Sequence, residues 1–366
     1  MSKRLLASFA VLGLVASLGG TAIARDHTKQ ARRERAAAYT AIDDNHGTSE
    51  GHLPASKENM RLISRLKLTD IPGGVSDVNY LKGFAYVGKY SPACVSNSGT
   101  GAGVSVVDVR NPKAPREVAF IRAGADAYVS EGVHALKVDT PFFEGSLLLH
   151  SNESCGLGEA GGISIYDVNN PARPKQLVDQ FGDTDANDPE DPTPLEFPNA
   201  VHSVMGWADG RHAYAVAVDN FEALDVDIFD ISDPANPVLV RETGLPDWEG
   251  QISPQLAHGE SAFIHDMWVK KIDGQWMMLI SYWDAGWVLL NVDDPANPVF
   301  VTDSDYAAED PQVPGFTPEG NAHQAAWSAN NRFIVGTDED FAPNRTKFFI
   351  ESGDNAGEYP GGEFGW

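Results

Sequence analysis

Four histidines recur in one local setting: "EGVHALK" (His134), "NAVHSVM" (His202), "FIHDMWV" (His265) and "GNAHQAAW" (His323). Imidazole is the commonest ligand for transition metals and suits zinc, copper or iron. An acid stands a few residues upstream of each: Glu131, Glu196, Glu260 and Glu319. Such carboxylates can accept the second ring N–H of a ligating histidine and fix its orientation. A residue copied with its unit can equally do a copied structural job. Asp219, Asp284 and Asp338, near the ends of the following apolar runs, would accept such bonds inside each unit. The direction of the four side chains separates the two readings.

A second oxygen-rich stretch is "DTDANDPEDP", with Asp183, Asp185 and Asn187 at alternate positions. That spacing suits calcium, although the glycine and distal glutamate of a helix–loop–helix calcium site are missing and a solvated acidic loop explains it equally. The two cysteines, Cys94 and Cys155, hold corresponding places in successive units, so a disulfide is expected in an oxidising compartment. Trp268, Trp276, Trp283 and Trp287 crowd one unit and read as packing between units. No phosphate-cradling glycine loop and no nucleophile elbow is present.

What must position these residues is a repeat. "DVRNPKAPREV" (from Asp108), "DVNNPARPKQL" (Asp167), "DISDPANPVLV" (Asp230) and "NVDDPANPVFV" (Asn291) are near-copies. They follow one another at about sixty residues, one supersecondary unit copied in series. Each unit holds four short β-type runs, as in "GVHALKV", "GSLLLHS", "GISIYDV" and "PKQLVDQF". Four antiparallel strands repeated in series predict an all-β propeller of four-stranded blades. Counting units gives five blades, with a sixth left open. The run "RLISRLKL" (61–68) is expected to close the last blade as an N-terminal strand. In that architecture the first strand of each blade lines the central axis, so the four histidines converge if they point inward.

The third runs, "GVSVVDV", "GISIYDV", "DVDIFDI" and "GWVLLNV", resemble the LVIVD repeat over roughly residues 60–350. The resemblance implies a β-propeller of an exported bacterial or archaeal protein and says little about chemistry. On this basis the main expectation is a binding or interaction module, taking a protein or small-molecule ligand on its loop face. The alternative is a metal-dependent enzyme of the oxidoreductase class, with the four histidines as ligands.

The ends and the charge bound the setting. "MSKR", the apolar "LLASFAVLGLVASLGG" and "TAIA" make residues 1–24 an expected signal peptide. Residues 25–58 read as a polar linker, 59–352 as the propeller, and 353–366 as a tail or the start of a further segment. The expected location is secreted, periplasmic or cell-surface, with no membrane span after cleavage. A formal net charge of −25 over 366 residues repels phosphate backbones, so nucleic acid is not an expected partner.

Overall fold

A computed structural model describes residues 59–70, 74–89, 101–124, 127–154, 161–182, 199–220, 224–248, 264–283, 285–304 and 322–338. The copied turn shows why the sequence repeats. In each copy the leading Asp or Asn side chain accepts the amide two residues on: Arg110 to Asp108 (3.1 Å), Asn169 to Asp167 (2.8 Å), Ser232 to Asp230 (2.7 Å) and Asp293 to Asn291 (2.9 Å). A backbone turn follows, with the amides of Ala114, Arg173, Asn236 and Asn297 donating to the carbonyls of Asn111, Asn170, Asp233 and Asp294. The side chain thus supplies one bond and the prolines fix φ, so a strand reverses at the same place in every unit.

Around these turns the chain forms antiparallel sheets. The first is β1 (Val78–Leu81), β2 (Phe84–Lys89), β3 (Gly103–Asp108) and β4 (Arg116–Arg122), paired in that order. A two-residue strand, β5 (Ala127–Tyr128), precedes the second, and both it and β6 (Val133–Asp139) pair with β7 (Glu144–Ser154). That sheet continues with β8 (Gly162–Asp167) and β9 (Lys175–Phe181). The third is β10 (Val201–Asp209), β11 (His212–Asp219), β12 (Asp225–Asp230) and β13 (Val238–Gly244). The fourth is β14 (Ile264–Ile272), β15 (Gln275–Tyr282), β16 (Gly286–Asn291) and β17 (Val299–Ser304). Last comes the pair β18 (Ala322–Trp327) and β19 (Ile334–Asp338).

Successive sheets pack face to face, the arrangement of propeller blades. One apolar cluster joins the first and second sheets through residues such as Tyr86, Val106 and Leu148. Another joins the second and third, where Phe181 meets Phe229 edge-on at 5.2 Å, and a further one joins the third and fourth through Val216, Ile228, Met278 and Ile280. Burial on both faces is why β3, "GVSVVD", is buried at every position rather than alternately. The fourth strands are mostly half-buried or exposed; in β13 only the last two residues are buried. β1, β6, β10, β14 and β18 each pack against the next, so the first strands line the axis.

One expectation is corrected here. Residues 61–68 form no strand, and Leu62, Ile63 and Leu66 are exposed. The segment lies beside the first sheet instead: Ser64 Oγ donates to the Pro112 carbonyl (2.6 Å) and Lys89 Nζ to the Leu68 carbonyl (3.4 Å). Its apolar residues include the adjacent pair Leu62 and Ile63, which an extended chain turns to opposite sides, so it presents no single apolar face to a blade. Among the described residues no helix is long and apolar enough to cross a membrane.

Candidate metal centre

The geometry of the axis follows from irregularities in the first strands. In β10 the ladder runs from Val201↔Asp219 to Ser203↔Val218, leaving His202 as the extra residue of a bulge. β14 passes from Ile264↔Tyr282 to Asp266↔Ser281 around His265, and β18 from Ala322↔Asp338 to Gln324↔Thr337 around His323. A bulge removes one residue from the pleat and re-aims its side chain. Here the same device in three consecutive blades turns three imidazoles together. The ring centroids of His202 and His265 are 4.6 Å apart, and those of His265 and His323 4.3 Å.

His134 is not among them. β6 pairs with β7 without a skip at this point, His134 opposite Leu149. Its Nδ1 lies 3.4 Å from Asn79 Nδ2, and burial pushes the imidazole down to about 4, so it is neutral. Glu131 takes the vacant station on the axis. The Ser151 amide donates to the Gly132 carbonyl (2.8 Å), which puts Gly132 where Ser203 stands in the next blade and Glu131 level with His202. The Glu131 amide in turn donates to the His202 carbonyl (3.2 Å). Glu131 therefore belongs with the imidazoles as a donor of its own, rather than orienting His134 from behind.

Oxygen or nitrogen atoms of Glu131, His202 and His265 lie within 4.8 Å of one another. An ion bonded at about 2.0–2.2 Å to each would need only small side-chain movements. His202 is prepared for such a role. Its Nδ1 is 2.9 Å from Glu153 Oε2 and 3.1 Å from Ser130 Oγ, while Asn220 Nδ2 donates to the other Glu153 oxygen (2.9 Å). Its Nε2 is buried and has no hydrogen-bond partner among the described residues. A carboxylate on one ring nitrogen raises a histidine's basicity as a ligand through the other.

The local electrostatics agree. Burial alone would push Glu131 and Glu153 up, yet His323 and His202 outweigh it and leave both carboxyls below their ordinary values. For His202 burial works downward, and Glu153 and Glu131 reverse it, so the net direction is up. His265 is driven well below its ordinary value by burial and by its two imidazole neighbours. His323 Nε2 stands 3.3 Å from Glu131 Oε2. Trp283 stacks on His265 with centroids 5.8 Å apart and planes 13° from parallel, so this tryptophan walls the site.

Asp77 adds a pH dependence. Burial raises its carboxyl most, the Val133 and Val78 amides pull it down, and Asp266 and Glu131 push it up again, to about 7. With a folded value above the unfolded 3.8, its contribution to stability is complete below about pH 4 and is lost as pH rises through 7. The metal-free protein is expected to lose melting temperature between pH 5 and pH 8, and Asp77→Asn to flatten that decline. Parallel melting curves for both proteins over this range would refute it.

The other candidate residues are placed as follows. Glu196, Glu260, Glu319, Asp183, Asp185, Asn187, Cys94 and Cys155 lie outside the described residues. Asp219 accepts the Ala200 amide (2.9 Å), a bond at the base of β10. His150 is buried, its Nδ1 3.0 Å from the Ser151 carbonyl and its ring stacked on Tyr166. Glu153, Ser130 and Trp283 serve the site without having been singled out for it from sequence. The polar "SNES" closing an apolar strand was the one signal for Glu153.

No family model matches the chain, and no curated protein sequence matches it. Solved structures do resemble it. The periplasmic gluconolactonase of Pseudomonas aeruginosa is 14% identical at a TM-score of 0.47, over 72% of this chain and 68% of that one. The endo-arabinase of Bacteroides thetaiotaomicron is 12% identical at 0.39, over 74% and 89%. A functionally unknown protein of Desulfotomaculum acetoxidans is 13% identical at 0.42, over 74% and 66%. The antiparallel sheets of this chain, mostly four-stranded and packed face to face in series, make a β-propeller-like fold. The expectation of a binding module is corrected at this point. On this chain's own residues the axis holds converging titratable groups rather than inert packing.

Proposed function

We propose that this chain is an exported, five-bladed propeller of the LVIVD-repeat type acting as a metal-dependent enzyme of the oxidoreductase class. Its metal would be held by Glu131, His202 and His265. The observation that carries the reading is His202: Nδ1 is fixed by Glu153, Nε2 is buried with no hydrogen-bond partner among the described residues, and a ring nitrogen lies within 4.8 Å of ligand atoms of Glu131 and His265. Two imidazoles and one carboxylate leave coordination positions open, the donor set of non-haem iron centres that activate oxygen.

Bound there, the metal would supply electron transfer and a coordination position for a small-molecule substrate or oxygen. The protein's own part is orientation and exclusion of water. Glu153 and Ser130 hold the His202 ring, His323 stands against the free edge of Glu131, and Trp283 covers His265. The blade that supplies His134 contributes Glu131 instead, so the donors are one oxygen and two nitrogens.

Elemental analysis of protein purified without added metal tests this. About one iron or copper per chain in the wild type, absent from His265→Ala, is the expected result. Zinc alone would point to hydrolysis, since the same three donors also make a catalytic zinc site. No stoichiometric transition metal, and none taken up on titration, would overturn the proposal. Glu153→Gln is expected to weaken zinc binding by roughly 10–100-fold without unfolding the blade, the cost of losing a carboxylate behind a ligand. Equal zinc affinity in titration calorimetry would contradict it.

A further inference from the structure

The residue after each bulged histidine faces sideways, and those residues are tied to one another. Ser203 follows His202, Asp266 follows His265 and Gln324 follows His323, each from a different blade. Ser203 Oγ donates to Asp266 Oδ1 (2.6 Å), and Gln324 Nε2 donates to Asp266 Oδ2 (2.7 Å). The Met267 amide also donates to Oδ1 (2.7 Å), fixing the carboxylate to its own strand. One buried side chain thus grips the first strands of both neighbouring blades.

We propose that Asp266 is the positioning residue of the axial centre: by clamping Ser203 and Gln324 it sets the spacing between His202, His265 and His323. Bulges are local irregularities whose direction is set by their surroundings, and the three lie in separate sheets with no ladder between them. Apolar contact holds neighbouring blades together but slides at little cost, because it is non-directional. Hydrogen bonds to a charged group are directional and short, so a two-armed carboxylate one residue from each imidazole fixes blade against blade where the donors meet.

The same level of the axis is tied differently where no histidine is presented. Asp77 Oδ2 accepts the Val133 amide (2.7 Å) and Asn79 Oδ1 the Ala135 amide (3.2 Å), fastening β1 along β6. Those bonds go to backbone and orient no donor of the centre. Between those two strands the described side-chain contact is Asn79 Nδ2 to His134 Nδ1 (3.4 Å), whereas Asp266 is gripped from both neighbouring blades.

The inference rests on the axial reading, and one experiment separates the two. Zinc alone is titrated calorimetrically into the whole chain as wild type, Asp266→Ala, Asp266→Asn, Ser203→Ala and Gln324→Ala, with melting temperatures measured on the metal-free proteins. An asparagine can still accept from Ser203 and, with the Gln324 amide turned over, donate to it. The expected result is a zinc Kd weakened by about 10–100-fold in Asp266→Ala and restored to near the wild-type value in Asp266→Asn. The single-arm variants are expected between the two, and they decide the matter if Asp266→Ala does not fold. Unchanged zinc affinity in folded Asp266→Ala, or in both single-arm variants, would overturn the positioning role while leaving the centre in place. Failure of the wild type to bind zinc would overturn the centre and this role with it.

Discussion

His202→Ala is expected to abolish metal binding at the axis, weakening zinc affinity by on the order of 1,000-fold or more, about 4 kcal/mol. The loss is larger than for a supporting residue because the variant removes a donor atom and also strands Glu153. That carboxylate is now pulled below its ordinary value by His202, against the burial that works the other way. Without the imidazole it would be a buried charge lacking its main counterpart, so its carboxyl is expected to rise. Activity, once a substrate is in hand, is expected to fall with the metal. The fold is expected to survive, because His202 occupies a bulge and carries no rung of the β10–β11 ladder. Calorimetric titration beside a melting curve checks both parts: metal binding lost with the transition retained. Retention of wild-type zinc affinity would show that the donors lie elsewhere.

Gly132→Val is expected to cost about 2–4 kcal/mol of stability and to remove Glu131 from the site. A side chain at this position would begin 2.6 Å from the Val204 backbone nitrogen and 2.8 Å from Ser151 Cβ. Backbone of the neighbouring blade cannot swing aside as a flexible side chain can. The glycine therefore permits a close approach of β10 to the second blade, where the Glu131 amide meets the His202 carbonyl. Forcing the blades apart would draw the carboxylate away from the two imidazoles. Urea denaturation should show the lowered midpoint, and zinc titration the lost oxygen donor. A variant with wild-type midpoint and affinity would mean that the two blades are not in register as described.

How much of this could be read from the chain is best seen residue by residue. The Asp-Val-x-x-Pro turn and the apolar third strands were legible, because their causes are local: an Asx bond, a fixed φ, and a strand buried on both faces. The convergence of His202, His265 and His323 was legible as a consequence of blade order. The exclusion of His134 was not. "GVHALK" looks like "AVHSVM", yet one histidine sits in a regular rung and the other in a bulge. The β6–β7 hairpin turns over residues 140–143, whereas β10–β11 turns over two residues after Asp209. His134 stands farther from the turn at Asp167 than His202 does from the turn at Asp230, so the two histidines do not share a height on the axis. Register is a property of two strands together, and bulges are fixed by what the neighbouring blade demands. The segment 61–68 failed for a related reason: a strand-like composition does not supply an edge to pair with. Glu153 reaches His202 from the far end of the neighbouring blade's second strand, and Trp283 directly follows β15, where the pairing of Ile264 with Tyr282 brings it beside His265.

The most direct test of the metal centre is anomalous diffraction at the zinc edge from crystals of the whole chain soaked in zinc. A peak is expected on the propeller axis, about 2.0–2.2 Å from a Glu131 oxygen, His202 Nε2 and a His265 nitrogen, with His134 uninvolved. An axis without a peak, with the three imidazoles each bonded inside its own blade, would contradict it.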